Sequence, residues 1–229
     1  MLSVLIPVYN EAATVGALVE RVLAAPLPVD RQVVLIDDAS TDDTRAIIDR
    51  LKVRPEVVVC RHDRNRGKGA AVVTGLLSAT GDWVVIQDAD LEYDPADYVA
   101  LLGPVMRGEA DATLGSRYLA GSRHEGRRWS AQRLANRVLT WWSNRMTGLG
   151  LTDMETCYKL MGRELAESLG LEQQRFGIEP ELVGKLAGRG TRVVEVPIAY
   201  RGRRHHEGKK IGWRDGVVAM WCVWRYRAG

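Results

Sequence analysis

The sequence predicts an α/β fold, a mostly parallel sheet flanked by helices, and three observations carry that expectation. Short apolar runs alternate with stretches of helical spacing along residues 1–116, the pattern of successive strand–helix units. The runs are apolar throughout rather than at every second residue, as in strands covered on both faces. Polar clusters follow directly on four of them: YNE after the first, DDAS after the second, RHDRNRGKG after the third and DADLE after the fourth. In such sheets ligands sit beyond the carboxyl ends of the strands.

In chain order, residues 2–8 read as a strand and 11–25 as a helix that Pro26 stops. A strand at 32–37 precedes a helix at 40–51, where Ser40 and Asp43 have capping-box spacing. A strand at 56–61 leads to a helix opening on glycines at 67–80, and a strand at 82–87 follows. Asp94-Pro95 reads as N-cap and first helical position before 96–107. A fifth strand spans 110–116. Beyond it come a basic loop (117–130), a helix (131–147), an irregular stretch (151–162), a helix (179–188) and a strand (191–198). A second basic loop (200–211) and a helix near 213–226 complete the chain. No repeat, low-complexity tract or linker interrupts it, so one domain over 1–229 is expected.

The net charge of +3 is unevenly spread. Residues 117–145 carry +6, residues 200–229 carry +6, and the remainder therefore carries −9. This suggests an anionic partner that meets the second half, with merely solvated faces as the alternative for the Arg-rich stretches. Nucleic acid is disfavoured, because the aromatics there cluster on expected helices instead of interleaving with the basic loops as a stacking platform would. Cys60, Cys157 and Cys222 are too few and too scattered for a disulfide framework or zinc site, which fits a reducing cytoplasm. The N-terminus lacks a basic segment and is too short for a signal peptide. The longest apolar run, VVAMWCVW at 217–224, falls far below the roughly 20 residues a spanning helix needs. A soluble or peripheral protein is expected.

The segment VVIQDADLEYDP (84–95) crowds Asp88, Asp90, Glu92 and Asp94 against a strand end. Either water screens their repulsion or a cation sits among them. Asp94 fits a helix cap. Asp88 and Asp90 point to a metal, since hard oxygen ligands select Mg²⁺ or Mn²⁺, which bind substrate phosphates as well. Asp37 and Asp38 either end a strand and start a turn or accept hydrogen bonds from a nucleobase or ribose. NRGKGAA (65–71) either simply starts a helix or puts amides and Lys68 near a phosphate. It is not a P-loop, and no G-x-G-x-x-G follows the first strand.

Together, VLIPVYNE, IDDASTDDT, NRGKGAA, DAD and LGSRY, in this order and spacing, resemble inverting family 2 glycosyltransferases of the nucleotide-diphosphosugar (GT-A) fold. The branch most resembled is that of polyprenol-phosphate sugar synthases such as dolichol-phosphate mannose synthase, over about residues 1–215. The resemblance implies that Pro7, Tyr9, Glu11, Ile36 and Asp38 line a nucleoside site. It implies that Asp88, Ala89 and Asp90 form a metal and diphosphate site, with Glu92 as a further candidate ligand. Arg117 would meet phosphate, and Arg203 and Lys209 would close over the donor diphosphate or the acceptor. The chain departs from that branch at Glu92, which replaces a Gln, and at TDMETCYK (152–159), which replaces SDPTSGYR.

The implied enzyme moves mannose, glucose or another sugar from a nucleotide-diphosphosugar to polyprenyl or dolichyl phosphate, with Mg²⁺ or Mn²⁺. Residues 1–116 would be its nucleotide-sugar half and 117–229 its acceptor and membrane-facing half. A phosphate acceptor is already anionic near neutral pH, since its second pKa is about 6, so no general base is required. No poised His–Asp pair is visible, and His62, His124, His205 and His206 read as loop or phosphate-contact residues. Trp141, Trp142, Trp221 and Trp224 are either core residues or anchors at an anionic membrane surface. The expected location is the inner face of the membrane, reached directly or through a membrane-protein partner. A soluble or protein acceptor, and a non-catalytic nucleotide-sugar-binding protein, are the alternatives.

Overall fold

The computed structural model describes residues 1–125, 131–202 and 213–227. The first strands and helices are β1 (Leu2–Val8), α1 (Val15–Ala24), β2 (Arg31–Asp37), α2 (Thr44–Leu51), β3 (Val57–Arg61), α3 (Lys68–Leu77), β4 (Trp83–Ile86), α4 (Tyr98–Met106) and β5 (Ala112–Ser116). Then come β6 (Arg123–Glu125), α5 (Ala131–Thr147), β7 (Lys159–Gly162), α6 (Arg163–Ser168), α7 (Ile178–Gly188), β8 (Val193–Pro197), β9 (Ala199–Arg201) and α8 (Trp213–Tyr226). A single 3-10 turn, Pro95–Asp97, leads into α4, and Asp94 caps it by accepting from the Ala96 amide at 3.1 Å.

Seven strands form one sheet in the order β3-β2-β1-β4-β7-β5-β8. β1 pairs in parallel with β2 and β4, β2 with β3, and β5 with β8. β1 lies inside the sheet, and its Val4, Leu5 and Ile6 are fully buried. Each such side chain contributes about 1.5–3 kcal/mol, so the strand ends that carry the polar loops are firmly anchored.

β7 corrects the sequence reading, which leaves 151–162 irregular. It lies between β4 and β5 and runs antiparallel to both. Four residues carry no readable period. What makes them a strand is pairing on both edges, Leu160 opposite Val85 on one side and opposite Thr113 on the other. Strands from before and after residue 116 therefore share one sheet. β6 and β9, inside stretches read as basic loops, form a parallel two-stranded ribbon. An isolated bridge between Tyr93 and Tyr200 ties β9 to the loop after β4.

Two helices begin later than their spacing suggests, because the preceding residues serve the loops. α2 starts at Thr44, not at Ser40. The expected capping box is absent: the Ser40 amide donates to Asp37 Oδ1 (2.9 Å), and Asp42 Oδ1 accepts from the Thr44 amide (3.0 Å). α1 starts at Val15, after a turn in which the Thr14 hydroxyl donates to Glu11 Oε2 at 2.9 Å. α3 lies close over β1 and β2; a Cβ on Gly75 would come within 2.7 Å of Ile36 Cδ1. Helices α5, α7 and α8 pack on one another.

Candidate active site

Three turns leave the sheet after β1, β2 and β4. Each holds one non-glycine residue in the left-handed region: Asn10 (φ 55°), Ala39 (φ 62°) and Leu91 (φ 62°). That conformation costs an L-residue roughly 1–2 kcal/mol, so neighbouring contacts must impose it. Here they do. The Asn10 amide donates to Ser40 Oγ (3.1 Å), the Thr41 amide donates to Asn10 Oδ1 (2.8 Å), and the Glu11 amide donates to Thr44 Oγ1 (2.9 Å). The β1 and β2 loops are thus one stitched unit.

Asp38 joins that unit to NRGKG. Its Oδ1 accepts from the Arg66 amide (2.8 Å) and its Oδ2 from the Gly67 amide (2.7 Å). His62 Nδ1 lies 2.6 Å from Asp38 Oδ1, and Nε2 lies 2.9 Å from Thr74 Oγ1, with the ring almost fully buried. A His–Asp pair therefore exists, contrary to the sequence reading. Both ring nitrogens are committed to protein partners, so His62 braces the loop instead of contacting phosphate. Asp37 forms the turn described above. A Cβ at Gly69 would meet the Gln173 carbonyl oxygen at 1.9 Å, and the Ala70 amide donates to Gln174 (3.1 Å). That glycine is required by the packing of residues 173–174 over the start of α3.

The carboxylates after β4 diverge. Asp88 Oδ1 lies 2.6 Å from Lys68 Nζ, and the same ammonium lies 2.5 Å from Glu179 Oε1 at the start of α7. Burial pushes the Lys68 pKa down, but Asp88 and Glu179 outweigh it and hold the ammonium well above its ordinary value. Asp90 Oδ1 accepts from the Glu92 amide (3.1 Å), and Glu92 Oε2 accepts the Tyr200 hydroxyl (2.7 Å). Beneath them, Gln87 is fully buried, accepts the Tyr98 and Tyr158 hydroxyls at 2.6 and 2.7 Å, and donates to the Asp88 carbonyl at 2.8 Å.

Arg117 forks onto Asp153 through Nε (2.6 Å) and Nη2 (2.7 Å), and its guanidinium stacks 5.0 Å from the Tyr200 ring centroid. Burial works against both charges, yet each partner outweighs it: the Arg117 pKa is raised and the Asp153 pKa lowered. Asn136 Nδ2 adds a 3.0 Å bond to Asp153. Next in the chain, Lys159 is fully buried and donates to the carbonyls of Met154 (3.1 Å) and Thr156. Burial depresses its pKa against the fields of Glu179 and Glu155. Glu155 is half-buried, and its Oε1 is shielded from solvent without a hydrogen-bond partner.

The remaining expected residues fall as follows. Pro7, Tyr9 and Glu11 are half-buried at the end of β1. Ile36 and Ala89 are buried, with the Ile36 side chain in the core against α3. A cleft of about 530 Å³ opens beyond β2 and β3, lined by Ala39, Ser40, Arg45, Arg61 and His62 among others. Arg203 and Lys209 lie outside the described residues. Glu179, Asp153 and Glu155 were missed as site residues. The departure of TDMETCYK from its branch touches Glu155, where the branch has Thr, whereas Asp153 is the Asp common to both strings.

Among the described residues, no group of three or more His, Cys, Asp or Glu side chains is arranged as a metal cage. The donor chemistry of Asp88 and Asp90 still fits Mg²⁺ or Mn²⁺. Both are half-buried hard-oxygen carboxylates on one short turn, and Mg²⁺ commonly takes one or two carboxylates and completes its shell with water and substrate phosphate.

The model of the family described as glycosyl transferase family 2 matches residues 3–170. The dolichol-phosphate mannosyltransferase of Pyrococcus furiosus is 28% identical over 92% of this chain and 59% of its own length. The undecaprenyl-phosphate 4-deoxy-4-formamido-L-arabinose transferase of Aeromonas hydrophila is 30% identical over 91% of this chain and 62% of its own length. The chain thus spans about three fifths of the length of these curated relatives. Among solved structures, glucosyl-3-phosphoglycerate synthase from Mycobacterium tuberculosis in complex with uridine-diphosphate is 25% identical, with a TM-score of 0.71 over 90% of this chain and 72% of that one. A complex of that synthase with Mn²⁺, uridine-diphosphate and glucosyl-3-phosphoglycerate is 22% identical, with a TM-score of 0.69 over 90% of this chain and 74% of that one. The architecture is the GT-A fold. With its motifs set at the strand ends of that fold and the family matching over most of its length, the chain belongs to glycosyl transferase family 2.

Proposed function

We propose that the chain is an inverting glycosyltransferase that moves a sugar from a nucleotide-diphosphosugar to a polyprenyl phosphate. The observation that carries this reading is the Asp88–Asp90 turn, braced by Gln87 and faced by Lys68, at the carboxyl edge of the sheet beside the stitched β1–β2 loops. Relatives named for undecaprenyl- and dolichol-phosphate sugar transfer support the acceptor class.

In this reading Pro7, Tyr9, Glu11, Ile36 and Asp38 form the nucleoside side, with Ile36 as the core residue that supports the end of β2. Asp88 and Asp90 would hold Mg²⁺ or Mn²⁺, with Glu92 as the candidate third ligand and Ala89 beside the diphosphate. When bound, the cation neutralises charge on the departing nucleoside diphosphate. Lys68 and Arg117 add positive charge around the phosphates, and Arg203 and Lys209 are assigned to close over them. The acceptor phosphate attacks as an anion, so no side chain has to remove a proton from it.

The acceptor's polyprenyl chain lies in lipid, so the site must reach the headgroup plane. Among the described residues no helix is long and apolar enough to cross a membrane. Instead, α5 exposes Leu134, Val138 and Trp141, while α8 exposes Val217, Val218, Trp221 and Trp224. These stripes, with exposed Arg137, Arg145 and Arg225 nearby, suit an anionic membrane surface on the cytoplasmic side. A membrane-protein partner would be the alternative means of reaching the lipid.

The test is transfer from a panel of nucleotide sugars to polyprenyl phosphate in detergent with Mn²⁺. Product should form with at least one donor, and excess EDTA or Asp90→Ala should abolish it while the melting temperature of the variant stays near that of the parent. Full activity in EDTA, or transfer confined to soluble acceptors, refutes the reading.

A further inference from the structure

Glu155 stands out among the polar side chains around the site. Its Oε1 is shut off from water and has no partner. A buried acceptor left unpaired is destabilising, more so when charged, so a carboxyl kept for stability alone would have found a partner. Candidates are close. Glu155 lies in the fields of Glu179, Lys159, Arg117 and Asp153, and Cys222 of α8 feels its charge as well. Yet the buried Lys159 ammonium bonds the backbone carbonyls on either side of Glu155, Met154 and Thr156, and leaves its carboxyl alone. The loop is thereby fixed with the side chain held free. Thr156 Oγ1 and Asn136 Oδ1, on the same loop and on the face of α5 against it, are also buried without partners. Desolvation, then repulsion from Glu179, lifts the Glu155 pKa to about 7, which gives a carboxyl able to donate as well as accept near neutrality.

Its position narrows what it can meet. Glu179, joined through Lys68 to Asp88, acts on its charge most strongly among the neighbouring groups. The Arg117–Asp153 pair, two residues away along the chain at Asp153's end, acts on it as well. The donor diphosphate and a phosphate acceptor are both anionic and are repelled by a carboxyl in this place. The nucleoside is assigned to the β1 and β2 loops. The neutral, hydroxyl-rich portion of the substrates is the transferred sugar, and a carboxyl is a good hydrogen-bonding group for it. Carboxyl χ3 is a broad two-fold rotor, so either oxygen can turn to the site.

We propose that Glu155 is a specificity-determining residue whose carboxyl hydrogen-bonds a hydroxyl of the transferred sugar. This rests on the reading of the site as a nucleotide-sugar site. The test measures binding of UDP, GDP, UDP-glucose, GDP-mannose and monodeoxy analogues of the preferred donor to the parent, Glu155→Gln and Glu155→Ala, by calorimetry with Mn²⁺. The parent should bind one monodeoxy analogue about 10- to 100-fold more weakly than the intact donor, the range for a hydrogen bond to a charged or polar site group. That ratio should fall to about 3-fold or less in Glu155→Ala and partly recover in Glu155→Gln. Binding of the bare nucleoside diphosphate should stay within about 2-fold, and neither variant should melt lower than the parent. A merely structural glutamate would lower the melting temperature and leave the ratio alone. An unchanged ratio in Glu155→Ala, or a matching loss for the bare nucleoside diphosphate, overturns the assignment of Glu155 while the site reading stands. If the parent binds none of the nucleotide sugars, the site reading falls first and this inference falls with it. Should Glu155→Ala fail to fold, Glu155→Gln decides on the same ratio.

Discussion

Lys68 holds two carboxylates at once, and its removal is the most direct test of the electrostatics described above. In Lys68→Met the side-chain volume is nearly kept, but Asp88 and Glu179 lose the ammonium that lies 2.6 and 2.5 Å from them. The Lys68 side chain is 14% exposed and that of Glu179 8%, so water screens little of what remains. Breaking a buried ion pair by removing one partner typically costs about 3–5 kcal/mol, because the other charge is left uncompensated. For a domain of this size that corresponds to a fall in melting temperature of roughly 6–20 °C. Two further readouts separate charge from packing. Glu179→Gln leaves the Lys68–Asp88 pair intact and should cost clearly less. Mn²⁺ should stabilise Lys68→Met more than it stabilises the parent, since a cation bound at Asp88 replaces the missing charge; ligand at a hundredfold excess over Kd contributes about 2.7 kcal/mol. The assay is chemical denaturation of all three proteins with and without Mn²⁺. A loss below about 1 kcal/mol in Lys68→Met, the level of an exposed pair, would show that the triad is not the buried unit described here. Equal responses to Mn²⁺ would show that Lys68 and the cation do not share Asp88.

Two other outcomes follow from the same structure. Glu155 carries a folded-state pKa pushed up to about 7, so its folded form retains a proton that the unfolded chain releases near 4.5. Its contribution is fully present below about 4.5 and is lost as pH rises through 7, so the stability of Glu155→Gln relative to the parent should rise across that window by an amount on the order of 3 kcal/mol; a flat difference between pH 4.5 and 8 refutes the burial of that carboxyl. Anionic liposomes should cosediment the protein at low salt and release it near 1 M, where the Debye length is ~3 Å, and replacing Trp141, Trp221 and Trp224 with Ser should weaken binding even at low salt; retention of full binding by the triple variant would remove the α5–α8 face from the interaction.

The parts of the fold that were legible in the sequence are those whose signal is local. The apolar runs of β1, β2, β4 and β5 stand alone as strands, and Asp94-Pro95 carries its own cap. β7 was invisible because its strand character comes from β4 and β5 on its two edges and not from its four residues. The late starts of α1 and α2 were hidden for a related reason. Glu11, Ser40 and Asp42 have good helix-start chemistry, but they spend it on one another's loops, and only the adjacency of β1 and β2 makes that possible.

At the site, the same distinction separates what motif reading found from what it missed. Asp38, Asp88 and Asp90 sit at strand ends, where position along the chain already implies position in the fold. Glu179 sits on a helix far along the chain, and nothing near it in sequence announces that it shares an ammonium with Asp88. Asp153 is likewise defined by Arg117, which reaches it across the end of the sheet. The Lys68–Glu179 pair joins the start of α3 to α7 in the second half of the chain, and the Arg117–Asp153 pair ties the residue after β5 to the stretch before β7 within that half. The seam between the halves is thus braced at Lys68, whose buried ammonium is shared between Asp88 of the first half and Glu179 of the second. Substitutions at Glu179 or Asp153 should therefore weaken donor binding through Lys68 and Arg117, although neither acid is placed to touch the donor.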